Sequence, residues 1–292
     1  MSILNAMNSG RSIHSCRSGF FSVITAGLLG ISIFSGSGIF AQGNLLITPR
    51  RAVFEGSTRS VDLNLANSSK DTATYSISLV QIRMKEDGGF ETITEPDPGQ
   101  KFADRYVRFF PRSVTLGPNE AQVVKVQLIR SGELEPGEYR SHFYFRALPK
   151  AKPLGEKDPA VDSTTISVRL TPVFGITIPV IIRVGQNDVK VTLSDLSYDP
   201  AANVLSLVFN RTGNMSVYGD LAIDHVSPQG KVTRVGIASG VAVYTPNKIR
   251  KFQMGINQIQ GVYLKTGKLL VTYSSSSDVK PVRFAQAELQ LQ

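Results

Sequence analysis

Tryptophan is absent from this 292-residue chain, cysteine occurs once (Cys16) and histidine three times. Each scarcity closes off a class of chemistry. A single cysteine leaves no disulfide framework and no thiolate metal site. Without tryptophan there is no strong aromatic platform for a sugar ring, although carboxylate pairs for glycoside chemistry can converge from distant loops unseen. His142 and His225 stand far apart, without acidic or histidine neighbours in a metal-ligand spacing. Set between Ser141 and Phe143 in an alternating strand, His142 reads as a surface or edge residue. No phosphate loop, dinucleotide fingerprint or Gly-x-Ser-x-Gly elbow follows a strand. The formal net charge of +9 is spread thinly, with no Lys/Arg run and no interleaving of aromatic and basic residues. Nucleic acid is therefore a poor partner, and a field that attracts acidic or carboxylate-bearing partners is the simpler use of the charge. Neither enzyme activity nor a cofactor or metal is expected.

Long apolar runs are also missing, apart from Phe20 to Phe34. Arg11 and Arg17 precede that run and Ile39-Phe40-Ala41 follows it, which is the layout of a cleaved secretory signal over residues 1–41. Cys16 lies before the apolar run, where a lipid-modified cysteine would follow it, and it leaves with the signal. No other stretch is long and apolar enough to span a bilayer, so no stable membrane insertion is expected after processing. The expected location is the periplasm, reached across the inner membrane.

What the chain has instead is short alternating segments separated by turn residues. Val61, Leu63 and Leu65 alternate, as do Tyr75, Ile77 and Leu79, then Val124, Val126 and Leu128. Lys85-Glu86-Asp87-Gly88-Gly89 is a hairpin-type turn, and Gly117-Pro118-Asn119 and Glu135-Pro136-Gly137 are further turns. About seven strands at this spacing, with no helical period, predict an antiparallel sandwich of the immunoglobulin type. Gly185-Gln186-Asn187-Asp188 is a polar break, after which the pattern restarts with Val189, Val191 and Leu193. The reading is all-β: two immunoglobulin-like β-sandwich domains, 42–184 and 185–292, after the signal.

The stretch Thr164 to Arg183 stands out. Ile166, Val168 and Leu170 alternate with polar residues, as in a strand with one apolar face, while Phe174 to Ile182 is almost continuously apolar, as in a strand buried on both faces. Pro172 and Pro179 argue against a central strand. A long strand at a sheet edge that later enters the core fits both halves.

The segment Leu46-Ile47-Thr48-Pro49-Arg50-Arg51-Ala52-Val53-Phe54-Glu55-Gly56 resembles the first strand of PapD-like periplasmic pilus chaperones. The resemblance continues through Val61 to Asn67, Leu116 to Asn119 and Glu138 to Arg146. It covers residues 45 to 183 and becomes mainly architectural beyond them. It implies two sandwiches in a boomerang arrangement, with no cofactor and a cleft that binds an exported pilus or fimbrial subunit. It further implies an edge strand donated to the subunit, with Ile166, Val168 and Leu170 as the pairing residues. In that family an arginine and a lysine grip the subunit's terminal carboxylate. The arginine falls on Arg51, whereas Thr177 occupies the lysine's place and Ile178-Pro179-Val180 replaces the residues after it, as in a divergent branch.

The function expected is therefore a periplasmic chaperone that caps exported subunits for assembly at the outer membrane, with an outer-membrane usher as a further partner. The alternative is a structural or adhesive envelope protein built from the same sandwiches, and the missing lysine is what favours it.

Overall fold

The structure, a computed structural model, describes residues 45–149, 173–186, 188–276 and 281–291. The expected signal and the pairing residues Ile166, Val168 and Leu170 lie outside the described residues. Helix is confined there to the 3-10 turns Asp104–Tyr106 and Ser131–Glu133, and no described helix is long and apolar enough to cross a membrane.

Eleven strands build the first sandwich: β1 (Leu45–Thr48), β2 (Ala52–Phe54), β3 (Ser60–Asn67), β4 (Ala73–Val80), β5 (Ile82–Met84), β6 (Phe90–Thr92), β7 (Val107–Phe110), β8 (Ser113–Leu116), β9 (Ala121–Leu128), β10 (Gly137–Leu148) and β11 (Gly175–Val184). One sheet has the order β1-β3-β9-β7, the other β2-β11-β10-β4-β8, and β5-β6 forms a separate hairpin. Period-2 alternation decides what each strand buries. In β3, Leu63 and Leu65 point inward and Asp62 and Asn64 outward; in β9, Val124 and Val126 are buried and Val123 and Lys125 exposed. These side chains pack with Phe54, Phe109, Phe143, Phe145, Val180 and Ile182 into one core, where Phe109 meets Phe143 edge-on at 5.1 Å between ring centres.

The segment read as one interrupted strand, Leu45 to Phe54, serves both sheets. β1 pairs antiparallel with β3, the chain bends over Pro49-Arg50-Arg51, and β2 then pairs parallel with β11, Ala52 opposite Val180 and Phe54 opposite Ile182. Proline has no N–H for the ladder, which suits it to the point where the chain leaves one sheet for the other. The apolar run of β11 is less buried than its composition suggests. Phe174, Gly175 and Thr177 are exposed, and continuous burial begins only at Ile178.

The second sandwich comprises β12 (Val189–Asp199), β13 (Val204–Gly213), β14 (Val217–Val226), β15 (Val232–Val243), β16 (Ile249–Gly255), β17 (Lys268–Ser274) and β18 (Arg283–Gln290). Its sheets run β12-β13-β16 and β15-β14-β17-β18. Leu205, Leu207, Phe209, Leu221, Ile223, Leu269, Val271 and Tyr273 form its own core, with Phe209 edge-on to Tyr273 at 5.0 Å. β16 was not identified from the sequence. In β16 the inward series is Arg250, Phe252 and Met254, and a cation in first place hides the alternation.

A small third cluster, Met84, Ile181, Ala242 and Tyr244 with Tyr218 against it, joins residues of both sandwiches. The β5-β6 hairpin reaches across beside it: Asn247 Nδ2 donates to the Met84 carbonyl at 2.7 Å, and the Lys251 N–H to the Glu86 carbonyl at 2.6 Å.

Candidate functional site

β10 and β11 are buried on both faces where they pair. Tyr139, Phe143, Phe145, Ile178, Val180 and Ile182 point into the first core. The residues between them, Glu138, Arg140 and His142 on β10 and Pro179 and Ile181 on β11, are buried on the opposite face, under the second sandwich. His142, expected at a surface or edge, is only 2% exposed. The correction has a simple cause: polar residues alternating along a strand usually mark a solvated face, but here a second sandwich covers it.

Burial gives this polar face a charge problem. Its acid is Glu138, whose side chain has no exposure. Among the described residues, Glu138 bonds to a cation and donors of the seam: Arg183 Nε at 3.1 Å, the Ser216 N–H at 2.9 Å, the Ser216 hydroxyl, and the Thr245 hydroxyl at 3.2 Å. Arg183 is further used by Glu55 at 3.2 Å and the Ser216 carbonyl at 3.1 Å. Arg183 and Glu138 are thus satisfied, and the remaining cations must find other partners.

They find few. Arg51, at the bend before β2, lays its guanidinium 4.2 Å from the centre of the Tyr218 ring, a cation–π contact. Arg140 lies 4.5 Å from the centre of Tyr244 and donates through Nη2 to the Thr245 carbonyl at 3.1 Å. Arg250 donates to the Ala242 carbonyl. Among the described residues, the buried side-chain nitrogens without a hydrogen-bond partner are Arg51 Nε and Nη2, Arg140 Nε, Arg250 Nε and both ring nitrogens of His142. All belong to this seam. Native interiors rarely leave such atoms unpaired, because each forfeits hydration without a replacement.

The electrostatics agree. Burial, above all, lowers the pKa of Arg51, and Arg183 nearby lowers it further, while the electron-rich Tyr244 and Glu138 act the other way. Burial likewise lowers Arg140 and Arg250. A guanidinium starts so high that it stays charged. His142 differs: burial first and the Arg140 charge second bring its pKa to about 2, so it stays neutral. Tyr244 is raised by burial, with Arg51 and Arg140 partly offsetting the shift.

Of the two carboxylate-grip positions taken from the resemblance, Arg51 lies in the seam, and Thr177 is exposed on β11 opposite Tyr144. Thr177 lines a cavity of about 190 Å³ with Pro179, His142, Tyr244 and Arg250. Arg51 is not in that wall, although its charge acts on Tyr244, which is. Sequence reasoning missed Arg140, His142, Tyr244 and Arg250. The available signal was the charged or polar position of β10 at every second residue, between aromatics.

No family model matches the sequence, and no curated protein does either. Solved structures with a similar arrangement include the chaperone–tip subunit pre-assembly complex CsuC–CsuE of the archaic Csu pili of Acinetobacter baumannii, at 13% identity and a TM-score of 0.43 over 85% of this chain and 99% of that one. The CupB2 chaperone of Pseudomonas aeruginosa matches at 13% identity and 0.41, over 85% and 100%. The E. coli chaperone DraB matches at 14% and 0.40, over 85% and 96%. The chain is similar, distantly, to chaperones of this kind.

Proposed function

We propose that this protein is a periplasmic chaperone for exported pilus or fimbrial subunits, pairing its β11 edge with an extended segment of the subunit and receiving the subunit's terminal carboxylate at Arg51. The carrying observation is the placement of Arg51. β2 covers β11 only from Val180 to Ile182, so among the described residues no strand pairs with Gly175–Pro179 on that side. A segment laid along this edge meets the bend at Arg51, where two guanidinium nitrogens lack partners. If it runs in the same direction as β2, its carboxyl end arrives there. A carboxylate would accept two parallel charge-assisted bonds.

Main-chain pairing gives affinity with little dependence on sequence, and alternate apolar side chains fill the partner's open groove. Ile166, Val168 and Leu170, ahead of β11 in the chain, supply that alternation in sequence. Capping an unpaired edge also prevents the subunit from aggregating. The resemblance of residues 45 to 183 to pilus chaperones supports the same reading, and hand-over to an outer-membrane usher is its natural sequel.

Co-expression with exported β-subunits tests this. A one-to-one complex is expected, and Val168→Asp should abolish it by placing an unpaired carboxylate in an apolar groove. Complexes that survive that substitution unchanged would overturn strand donation. Thr177 at the lysine position favours a second reading, an envelope structural or adhesive protein. That reading predicts retention in a surface assembly, whereas a chaperone fractionates with the soluble periplasm.

A further inference from the structure

The cavity at Thr177 has a chemistry of its own. It is walled by His142, Thr177 and Pro179 from the first sandwich, by Tyr244 and Arg250 from the second, and by Phe90 of the β5-β6 hairpin. Several of its polar atoms are unspent: among the described residues, neither ring nitrogen of His142 has a partner, and Arg250 Nε is buried and unpaired although Nη1 donates to the Ala242 carbonyl. A neutral imidazole offers one N–H donor and one acceptor.

Arg250 is held in place by backbone rather than by an acid. Its guanidinium lies over Gly88, where an added Cβ would come within 2.7 Å of Nε, and Gly88 has φ +82°. The hairpin turn therefore leaves room for this side chain to lie flat. Among the described residues no carboxylate lines the cavity. The neighbouring acid, Asp87, is 66% exposed and sits 3.5 Å from Lys85.

The cavity also opens beside the part of β11 that β2 leaves uncovered, since Thr177 and Pro179 contribute to both. Side chains of a strand added to this edge alternate between the two faces of the sheet. Those beside Thr177 on the cleft face are directed at the cavity. At about 190 Å³ the cavity is smaller than pockets for drug-sized ligands and suits one side chain.

We infer that this cavity is a selectivity pocket for a carboxylate-bearing side chain, aspartate or glutamate, of the incoming segment, with Arg250 as its cation and His142 and Thr177 as neutral donors. The inference rests on edge pairing at β11. It adds a second carboxylate subsite, with its cation from the second sandwich and its neutral donors from the first, distinct from the one at Arg51.

Two measurements test it and separate its failure from that of the pairing reading. In the first, acetate alone is titrated against the processed protein while the His142 ring resonances are followed. Saturable shifts are expected in the wild type, reduced in Arg250→Lys and lost in Arg250→Gln. Absence of a saturable shift in wild type, or an unchanged response in Arg250→Gln, overturns the pocket.

In the second, labelled peptides of alternating Val and Thr carry Glu, Gln or Leu at each cleft-facing position near the carboxyl end, with that end free or amidated. At one position the Glu peptide should bind about tenfold tighter than the Gln peptide, whether or not the end is amidated. Arg250→Gln should remove that preference and leave the Gln and Leu peptides unaffected. Equal binding of all three, or equal weakening of all three by Arg250→Gln, overturns the pocket. A preference that disappears on amidation assigns the carboxylate to the chain terminus and overturns the side-chain assignment. If no peptide binds while acetate still shifts His142, edge pairing is overturned, and with it the role of the site as a side-chain pocket.

Discussion

The carboxylate of Glu138, on β10, accepts the backbone N–H of Ser216, just before β14, at 2.9 Å. This bond joins the two sandwiches through a group with no solvent exposure, and Arg183 and Thr245 converge on the same carboxylate. Removing one partner of a buried pair leaves the other charge uncompensated, which costs more than the pair contributes. Glu138→Gln should therefore destabilise the protein by about 3 kcal/mol. Urea denaturation is the measurement. A loss below about 1 kcal/mol would show that the seam does not depend on this carboxylate.

His142 predicts an acid-sensitive seam. Its folded pKa of about 2 lies below the ordinary 6.5, because burial and the Arg140 charge both oppose protonation. The unfolded chain then takes up the proton first. The contribution is fully present above about pH 6.5 and is lost progressively as the pH falls toward 2. By pH 5 the loss is on the order of 2 kcal/mol. Stability measured from pH 7 to 5 should fall less steeply in His142→Phe than in the wild type. Identical slopes would mean that the imidazole finds a protonated arrangement inside the seam.

Arg51→Met separates binding from stability. The methionine retains apolar contact with Tyr218 and removes two unpaired buried nitrogens, so the free protein should change by less than about 1 kcal/mol. Subunit affinity should drop about tenfold or more, the worth of charge-assisted bonds to a carboxylate. Calorimetric titration with a purified subunit checks this. Unchanged affinity would remove Arg51 from the site.

Tyr273 reports on the second core. It is fully buried, and its hydroxyl donates to the Val241 carbonyl at 2.8 Å. Burial raises its pKa, so it stays protonated and remains a donor. Tyr273→Phe leaves that carbonyl unpaired and should cost about 1–3 kcal/mol in chemical denaturation. Because Tyr273 does not line the cavity and its hydroxyl is spent on Val241, subunit affinity should not change.

How far the sequence anticipated these features varied from residue to residue. β3 and β9 were legible because each carries a clean alternation with charged residues on the exposed side. β16 was not, since Arg250 stands where an apolar residue would signal the inward face. Arg51 was reached through a resemblance of the surrounding segment, and nothing in its neighbours indicated that its nitrogens would be unpaired. His142 was misread because alternation alone shows that Glu138, Arg140 and His142 share a face, and the usual cover for such a face is water.

The sequence by itself determined the strand class, the turns and the side of each strand on which a residue stands, because a period of two and the conformations of glycine and proline are local properties. Only the tertiary structure decided what lies over each side. By packing the second sandwich on the polar face of β10, it placed Glu138 among more cations than one carboxylate can serve. It left nitrogens of Arg51, Arg140, Arg250 and His142 without partners. That shortage arises between segments far apart in the chain, and burial turns it from a hydrated surface into a site with unmet hydrogen-bonding capacity.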